Sequence, residues 1–550
     1  MTFVQGDEYD TTSWSELHAD ARSMAAAMQA RGVRVGHHVA ILGPTSRALV
    51  TAIQATWLCG GCVVMLPLPL RMGSLEGFIS QTRDRMRAAD VTMLLLDGQF
   101  SDFISHEDGD PTFVTFDDLA PAEPAERVAA EQFVSRDIDP DSLAVLQFTS
   151  GSTSEPKGVM LTHRQICANV DGAVIAAQVV PEDVVISWLP LYHDMGLIGM
   201  LVIPMLTGIS LVLGAPQDFM AKPLRWLQWH SDFGGSVTAG PNFSYVLATR
   251  ALRRAEGLDL SSARVMLSGA EPVDPESFRA FAREGERFGL RADSLFPAFG
   301  MAEVCIAGVF PPPGAGLQTD LIDGRVLEHE RFAASAKAGA PNSRELAVLG
   351  RAIPGLNLRV VDRVTGRDCR DREVGELLIS GTSVTSGYYK RPEATAELIV
   401  DGWLHTGDLA YLIDGQMVMC GRIKDVVIIG GRNIYPQDIE KVVGGIEGVR
   451  TGNVIAFGEE GRNSKQFVVV VAETRLEDAA ALDALSTRIN REVQAEIGVP
   501  AREIRLVAPG TIPKTSSGKL QRSACHQMFQ RGELDRTIVS IDLSTSRQTV

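Results

Sequence analysis

Helix-like and strand-like segments alternate through the first half of the chain. Residues 15–31 carry apolar side chains at helical spacing, residues 38–42 form a short apolar run, residues 48–59 are again helix-like, and residues 62–68 are strand-like. This alternation is typical of a parallel sheet covered by helices, so the sequence predicts an α/β fold. Residues 107–137 are acidic and contain prolines, and we expect them to run over the surface.

The pattern of predicted helices and strands changes in the second half of the chain. After about residue 350 the strands become shorter, and a third region with its own strands and helices begins near residue 421. A chain of 550 residues is too long for one compact core. We therefore predict a large N-terminal region, residues 1–421, with mixed and parallel sheets, layered helices and a β-rich subdomain. A small α+β C-terminal domain, residues 422–550, is predicted to follow.

One uncharged apolar stretch, residues 195–215, has the length of a membrane span. Pro204 and the Thr207-Gly208 pair interrupt it at mid-length. This interruption favours a buried helix, a turn and a buried strand over a transmembrane helix. We therefore predict no transmembrane segment.

Charge and cysteine content restrict the classes of partner and compartment. The formal net charge of −16 would repel a polyanion, so nucleic acid is not an expected partner. The seven cysteines are scattered and odd in number, which is typical of reduced thiols in a cytoplasmic protein. The beginning of the sequence has neither a basic segment nor an apolar core and does not resemble a secretory signal. We therefore expect a cytoplasmic protein.

A loop of small hydroxyl residues and glycine carries the most chemical information. It lies in the string LQFTSGSTSEPKG, residues 146–158, where an apolar strand leads into the loop. Small residues let backbone N–H groups approach an anion, hydroxyl groups add donors, and a lysine adds positive charge. By composition the segment is either a triphosphate cradle or a flexible surface loop. It is not a Walker A loop, because the G-x-x-x-x-G-K-[ST] pattern is absent.

The full string TSGSTSEPKG resembles the signature of the adenylate-forming superfamily. That superfamily contains acyl-CoA synthetases, luciferase, the adenylation domains of peptide synthetases and the fatty-acyl-AMP ligases. Five further motifs stand in the family's order: SGAEP at 268–272, FGMAE at 299–303, HTGD at 405–408, GRIKD at 421–425 and PKTSSGK at 513–519. The resemblance covers nearly the whole chain. It implies the fold of that superfamily, in which the small C-terminal domain is mobile.

The resemblance implies ATP as cosubstrate and Mg²⁺ as cofactor. Asp408 would bind the ribose hydroxyls, Arg422 would contact ribose or phosphate, and Phe299 would stack on adenine or belong to the core. The residues expected to bind ATP or AMP are Thr149, Ser150, Gly151, Ser152, Thr153, Lys157, Gly269, Ala270, Glu271, Phe299, Gly300, Met301, Ala302, Asp408 and Arg422.

Three residues are expected to carry the chemistry. Lys519 would bridge the carboxylate and the α-phosphate and stabilise charge in the transition state. Glu303 would bind Mg²⁺, because this cation prefers carboxylate and phosphate oxygens. His193 would orient the acyl and phosphate groups, although a lone histidine is more often structural. Lys424 and Asp425 match the family's hinge.

Several details resemble the fatty-acyl-AMP ligase branch. They are SGAEPV at 268–273, PLYHDMGLIG at 190–199, Ala302 and a polar, Ala-rich insertion at about 315–347. In that branch the insertion restrains the C-terminal domain and disfavours the use of CoA. Apolar residues available to pack the insertion are Leu321, Val326, Leu327 and Phe332.

The branch implies an enzyme that converts a fatty acid and ATP to acyl-AMP. It would transfer the acyl group to the phosphopantetheine thiol of an acyl carrier protein or a polyketide or peptide synthase. An acyl-CoA synthetase is the alternative, distinguished by whether CoA is consumed. Two further readings are a catalytically inactive scaffold, which the intact motif residues disfavour, and amino-acid activation, for which no acidic partner of the substrate amine stands out.

Overall fold

The computed structural model describes residues 1–68, 75–120, 130–149, 157–340, 342–461, 466–515, 519–534 and 540–542. Three sheets and their helices form the N-terminal region, and a further pair of sheets forms the C-terminal domain. The α/β class predicted from the alternation of segments is confirmed.

The first sheet contains the strands predicted at the start of the chain. Its strands are parallel, except that the last one, Lys157–Thr162, pairs antiparallel with Leu143–Thr149. In spatial order they are Thr112–Thr115, Val91–Leu96, His38–Leu42, Cys62–Met65, Leu143–Thr149 and Lys157–Thr162.

Two sequence-based details need correction in this sheet. The strand that begins at Cys62 ends at Met65, whereas residues 62–68 had been predicted. Pro67 follows, and proline has no N–H group to donate to a ladder. Part of the segment predicted to run over the surface is also structured, because Thr112–Thr115 forms the edge strand and Phe116–Leu119 a short helix.

The second sheet is parallel along most of its width. An N-terminal hairpin adds its last two strands, the final pair being antiparallel. In spatial order the strands are Leu295–Pro297, Val265–Ser268, Val237–Gly240, Val184–Ser187, Ser210–Gly214, Thr2–Gln5 and Glu8–Thr11.

The third sheet is antiparallel and forms the predicted β-rich subdomain. Its main path is Phe299–Gly300, Ala307–Phe310, Ser343–Ala352, Gln416–Arg422, Trp403–Ile413, Gly375–Gly381 and Leu356–Val361. Thr319–Asp323 pairs with Ser343–Ala352, and Ile399–Val400 pairs with Trp403–Ile413.

Helices cover the sheets of the N-terminal region. Several of the helices that have at least nine residues begin at a side-chain cap or a proline. Examples are the Ser13 capping box and Pro275. The α-helices are Trp14–Ala30, Arg47–Leu58, Leu75–Ala88, Phe116–Leu119, His163–Ala176, Ile203–Thr207, Pro216–Ala221, Leu224–Phe233, Asn242–Leu252, Pro275–Gly285, Gly324–Glu330 and Pro392–Leu398.

The apolar stretch at 195–215 folds as predicted. Met195–Val202 forms π-helical turns, Ile203–Thr207 continues as an α-helix, Gly208 ends it in the left-handed conformation, and Ser210–Gly214 is a strand. Pro204 has no N–H group for the helical ladder, which accounts for the irregular geometry at this point. In the part of the chain that is described, no helix has both the length and the apolar character needed to cross a membrane.

The C-terminal domain has its own hydrophobic core, formed by residues between Val427 and Leu506. Its strands are Val427–Ile429, Arg432–Ile434, Val449–Glu460, Gln466–Thr474, Ala501–Val507 and Ser540–Asp542. Its helices are Pro436–Gly444, Ala479–Ile497 and Arg522–Gln530. The boundary at 421/422 stays a prediction. It is consistent with a β-rich sheet whose strand ends at Arg422 and a separate core that begins at Val427.

Candidate active site

Lys519 and His193 meet at the interface between the two regions. The Nζ atom of Lys519 lies 3.0 Å from Nε2 of His193. The other ring nitrogen, Nδ1, lies 2.5 Å from Oδ1 of Asp194. This arrangement suits a histidine that donates from Nδ1 to the carboxylate and accepts at Nε2 from the ammonium group. The carboxylate thus orients the ring, and the ring orients the lysine.

Electrostatics support this chain of contacts. Burial raises the pKa of Asp194, but the contact with His193, the charge of Lys519 and the hydrogen bond from Met195 N–H together hold it below its ordinary value. Burial lowers the pKa of Lys519, and the charges of Asp194 and Glu271 oppose that effect. The two carboxylates thus favour the protonated, positively charged form of the buried lysine.

The loop that carries Lys519 is fastened to the C-terminal domain. Thr515 Oγ1 accepts a hydrogen bond from the Lys519 backbone N–H at 3.0 Å. Arg522, just after the loop, bonds to Asp425 at 2.6 Å and to Glu440 at 2.7 Å. Asp425 is one of the two predicted hinge residues. Arg522 therefore links the segment that carries Lys519 to the predicted hinge residue Asp425.

Glu303 lies buried in the site rather than on an exposed loop. Its Oε1 accepts a hydrogen bond from the hydroxyl of Tyr388 at 2.8 Å, and its backbone carbonyl accepts one from Thr385 N–H at 2.8 Å. Burial raises the pKa of the Glu303 carboxyl, and the Tyr388 hydrogen bond opposes the rise. A cation would restore the charged form.

One buried carboxylate fits the way proteins bind Mg²⁺. Among the described residues no group of three or more His, Cys, Asp or Glu side chains is arranged to hold a metal ion. Mg²⁺ does not need such a cage, because it is usually held by one or two carboxylates, substrate phosphates and waters. Glu303 offers such a carboxylate.

Asp408 and Arg422 face each other across neighbouring strands. Arg422 Nε lies 3.3 Å from Oδ1 of Asp408, and the two residues are register partners in the β-rich sheet. Burial raises the pKa of Asp408 to about 6, against the attraction of Arg422 and Lys424. Lys424, the other predicted hinge residue, has its pKa lowered by burial and by Arg422.

The predicted phosphate loop is only partly described. Thr149 is the last residue of its strand, and Ser150, Gly151, Ser152 and Thr153 lie outside the described residues. Lys157 follows at the start of the return strand, with Nζ 4.8 Å from the centre of the Tyr388 ring. Tyr388 therefore touches both the Lys157 and the Glu303 side chains.

Two of the predicted nucleotide-binding motifs, SGAEP at 268–272 and FGMAE at 299–303, have a constrained backbone. A Cβ atom at Gly300 would lie 1.8 Å from the carbonyl oxygen of Ile306, so only glycine fits. Ala270 has a positive φ of 68°, next to Gly269 and before Glu271. The Glu271 carboxylate accepts a hydrogen bond from Phe243 N–H at 2.7 Å, and burial raises its pKa.

Phe299, Met301 and Ala302 line the same cavity as Lys519 and Glu303. Its volume is about 670 Å³, within the range of small-molecule sites. Its apolar lining includes Gly199, Met200, Ile203, Val237, Leu267 and Phe310. Gly199 is buried, and a Cβ added there would meet no atom within 4 Å. The cavity therefore combines charged groups with room for an apolar chain.

The insertion packs on the β-rich sheet and reaches the C-terminal domain. Ile322, Leu327 and Ala333 are fully buried, whereas Phe332 is 38% exposed. Of the four apolar residues that we expected to pack the insertion, Leu327 does so, Leu321 and Val326 are half-buried, and the prediction for Phe332 was wrong. Arg331, in the left-handed conformation, ends the helix and turns Ala333 inward instead.

Ion pairs join the insertion region to the C-terminal domain. Glu328 bonds to Arg432 at 2.6 Å, and its carbonyl accepts from the Asn433 side chain at 2.9 Å. Arg344 bonds to Asp438 at 3.0 Å. Three of these side chains, Glu328, Arg432 and Arg344, are at most one-fifth exposed, so solvent screens the pairs less than pairs at the open surface.

Sequence reasoning missed two contributors to the site. Asp194 follows His193 directly, so its proximity could have been noticed, but its bond to the ring depends on the turn at 190–194. Tyr388 lies 85 residues beyond Glu303, and its local sequence does not indicate the hydrogen bond between the two side chains.

Comparison with known proteins places the chain among adenylating enzymes. Residues 1–389 match the family model described as AMP-binding enzyme, and residues 431–524 match the model of the AMP-binding enzyme C-terminal domain. Rv1013 of Mycobacterium tuberculosis, provisionally named a ligase, is 37% identical over 93% of both chains.

Two further relatives have more informative names. A medium-chain-fatty-acid–[acyl-carrier-protein] ligase, JamA, of Moorena producens is 32% identical over 97% of this chain and 93% of its own. A structure from work on fatty acyl-adenylate ligases of E. coli and L. pneumophila superposes with a TM-score of 0.88. It is 30% identical and covers 97% of this chain and 96% of that one.

Proposed function

Because the chain belongs to the AMP-binding enzyme family, we propose that it activates a fatty acid with ATP and then passes the acyl group to a carrier thiol. In the first step a carboxylate oxygen bonds to the α-phosphorus of ATP. The bond from that phosphorus to the oxygen bridging to the β-phosphate breaks, and pyrophosphate leaves. The products of this step are acyl-AMP and pyrophosphate.

One observation carries the proposal: Lys519 reaches His193 in a cavity that also has an apolar lining. The reaction brings two anions together, so the site must neutralise charge and hold the carboxylate in line with the α-phosphorus. Lys519 supplies a charge held by His193 and Asp194. It stabilises the negative charge that develops as the carboxylate attacks.

The remaining polar residues have roles in binding the nucleotide. Asp408 accepts hydrogen bonds from the ribose hydroxyls, and Arg422 keeps that carboxylate charged while it contacts ribose or phosphate. Phe299, Gly300 and the turn at 269–271 bind the adenine side. Glu303 would hold Mg²⁺, which when bound neutralises phosphate charge. Lys157 adds a further positive charge near the phosphates.

The apolar lining supports a fatty acid as the substrate. Alkyl chains gain free energy from leaving water, and Gly199 leaves room for one six residues after His193. The names of the similar JamA protein and of the fatty acyl-adenylate ligases point to the same substrate class. A cytoplasmic location stays part of the proposal, supported by seven free thiols.

The acceptor of the second step is proposed to be the phosphopantetheine thiol of an acyl carrier protein or of a synthase. The thiol sulfur would bond to the acyl carbon, and AMP would leave. Lys519 lines the cavity in the present arrangement, and the C-terminal domain would move to let the thiol approach. Two ion pairs, Glu328–Arg432 and Arg344–Asp438, stabilise the present arrangement of the C-terminal domain. They therefore disfavour the use of free CoA. An acyl-CoA synthetase is the second candidate, because the same cavity would serve its first step.

Fatty-acid-dependent exchange of labelled pyrophosphate into ATP tests the first step. We expect exchange with wild type and with Lys222→Ala, which alters an exposed lysine, and almost none with Lys519→Ala. Equal exchange in Lys519→Ala and wild type would refute the role of this lysine. The proposed activity would be refuted if wild type showed no exchange with any fatty acid in a series of roughly 4–18 carbons.

A further inference from the structure

The residue two positions after Glu303 has a strained backbone. Cys305 has φ 75° and ψ −59°. This geometry is close to that of the rare γ-turn with positive φ, which is unfavourable for a non-glycine residue. Strain of this kind persists only where neighbouring contacts hold the chain in place. The contacts around Cys305 therefore show what fixes the Glu303 turn.

Three hydrogen bonds to the residues that flank Cys305 come from one side chain. Asn169, on the helix His163–Ala176, is 1% exposed. Its Nδ2 lies 2.8 Å from the carbonyl oxygens of both Val304 and Ala307, and its Oδ1 accepts from Ala307 N–H at 3.0 Å. Asn169 thus holds the chain on both sides of Cys305.

The same amide also reaches the second segment that holds Glu303. Asn169 Nδ2 lies 3.1 Å from Ser383 Oγ, and the Cys305 thiol lies 3.5 Å from the Ser383 carbonyl oxygen. Thr385, two residues later, donates to the Glu303 carbonyl. Thr385 and Tyr388, which both bond to Glu303, thus lie soon after Ser383, in the segment that Asn169 contacts.

We propose that Asn169 is a positioning residue for adenylation: it clamps the strained turn at Cys305 to the 383–388 segment and so fixes the Glu303 carboxylate in the site. The helix His163–Ala176 serves as the fixed support. Without the amide, the turn can relax at Cys305, and Glu303 loses its alignment. The inference rests on the proposed role of Glu303.

A buried asparagine could instead contribute only to stability, and a double-mutant cycle separates the two roles. The variants are Asn169→Ala, Glu303→Gln and the double variant, each assayed by fatty-acid-dependent pyrophosphate exchange with kcat and KM measured separately. Thr56→Val is the control for a buried hydrogen bond lost elsewhere, because Thr56 Oγ1 bonds to the Ala52 carbonyl of its own helix. The melting temperature of each variant is recorded.

We expect Asn169→Ala to lower kcat by about ten- to a hundredfold, as is usual when a residue that orients a ligand-binding side chain is lost. In the Glu303→Gln background the same change should have an effect of less than about threefold, because residues that act as a unit are not additive. Thr56→Val should lower the melting temperature without changing kcat.

An equal loss of kcat from Asn169→Ala in both backgrounds would overturn the inference while leaving the role of Glu303 intact. A Glu303→Gln enzyme with wild-type kinetics would instead refute the proposed role of Glu303. If Asn169→Ala does not fold, Asn169→Asp keeps the volume and the acceptor for Ala307 N–H but loses the amide donors, and the same cycle applies.

Relief of the strain gives a second readout. Cys305→Gly removes the penalty for positive φ, so it should raise the kcat of Asn169→Ala by at least about threefold, a factor equivalent to roughly 0.7 kcal/mol. A purely structural role for Asn169 would give recovery of melting temperature alone. No recovery of kcat in the folded double variant would contradict the clamp.

Discussion

Lys519 and His193 lie 326 residues apart in the chain, yet their Nζ and Nε2 atoms are 3.0 Å apart. The contact joins the C-terminal domain to the motif that begins the apolar helix of the N-terminal region. Arg522 connects the same lysine loop to Asp425, the predicted hinge. The arrangement is therefore the one expected for acyl-AMP formation, in which the lysine has entered the site.

The first prediction concerns Lys519. Lys519→Ala should lower kcat for acyl-AMP formation by about a hundredfold or more, because the lost charge acts in the transition state. The melting temperature should stay close to that of wild type, since the ammonium group lies at a domain interface. Stopped or quenched-flow measurement of pyrophosphate release provides the rate, and a loss below about threefold would contradict the assignment.

The pH dependence of ATP binding tests Asp408. Its pKa is raised to about 6, mainly by burial. The carboxylate accepts hydrogen bonds from ribose only when ionised, so KM for ATP should rise as the pH falls below about 6. In Asp408→Asn the KM for ATP should already be higher at neutral pH, and it should not rise further in acid. If KM for ATP rises in acid equally in wild type and in Asp408→Asn, another group titrates.

The size of residue 199 should set the longest acyl chain accepted. A Cβ at Gly199 enters open space, so Gly199→Ala, Gly199→Val and Gly199→Leu should fill the cavity progressively without backbone strain. Each methylene group excluded should weaken binding by about 0.8 kcal/mol, or roughly fourfold in KM. KM values for a series of fatty acids provide the test, with KM for ATP as internal control. An unchanged chain-length profile in Gly199→Leu would place the alkyl chain elsewhere.

The contacts of the insertion should restrict the use of CoA. Glu328→Gln removes the charge opposite Arg432, and an increase of about tenfold in acyl-CoA formation would correspond to a bias of about 1.4 kcal/mol. Deletion of residues 320–345 would test the same idea less cleanly, because Ile322 and Leu327 belong to a core cluster. Glu284→Gln, which alters an ion pair with Arg253 remote from Arg432, is the control. Equal acyl-CoA formation by wild type and Glu328→Gln would contradict the proposed restraint.

Local sequence patterns predicted much of the fold. The strand His38–Leu42, the helix Arg47–Leu58 and the helix–turn–strand course of 195–215 follow from periodicity and from proline and glycine signals. The motifs also indicated which polar residues belong to the predicted site, because a phosphate site needs small residues and positive charge close together.

Contacts between distant segments could not be predicted in this way. The hydrogen bond from Tyr388 to Glu303 depends on how the β-rich sheet meets the turn at 301–305. Asn169 lies on an ordinary amphipathic helix, and its importance is visible only once its four polar neighbours are in place. Phe332 was expected to pack inward because it is apolar, but the left-handed Arg331 turns it toward solvent.

Product analysis tests the central claim most directly. Wild-type enzyme is incubated with labelled fatty acid, ATP and Mg²⁺, and the products are separated with no acceptor, with CoA and with a phosphopantetheinylated carrier protein. We predict acyl-AMP in the first two reactions, little acyl-CoA, and acylated carrier protein in the third. Efficient conversion to acyl-CoA would contradict the account and identify the enzyme as an acyl-CoA synthetase.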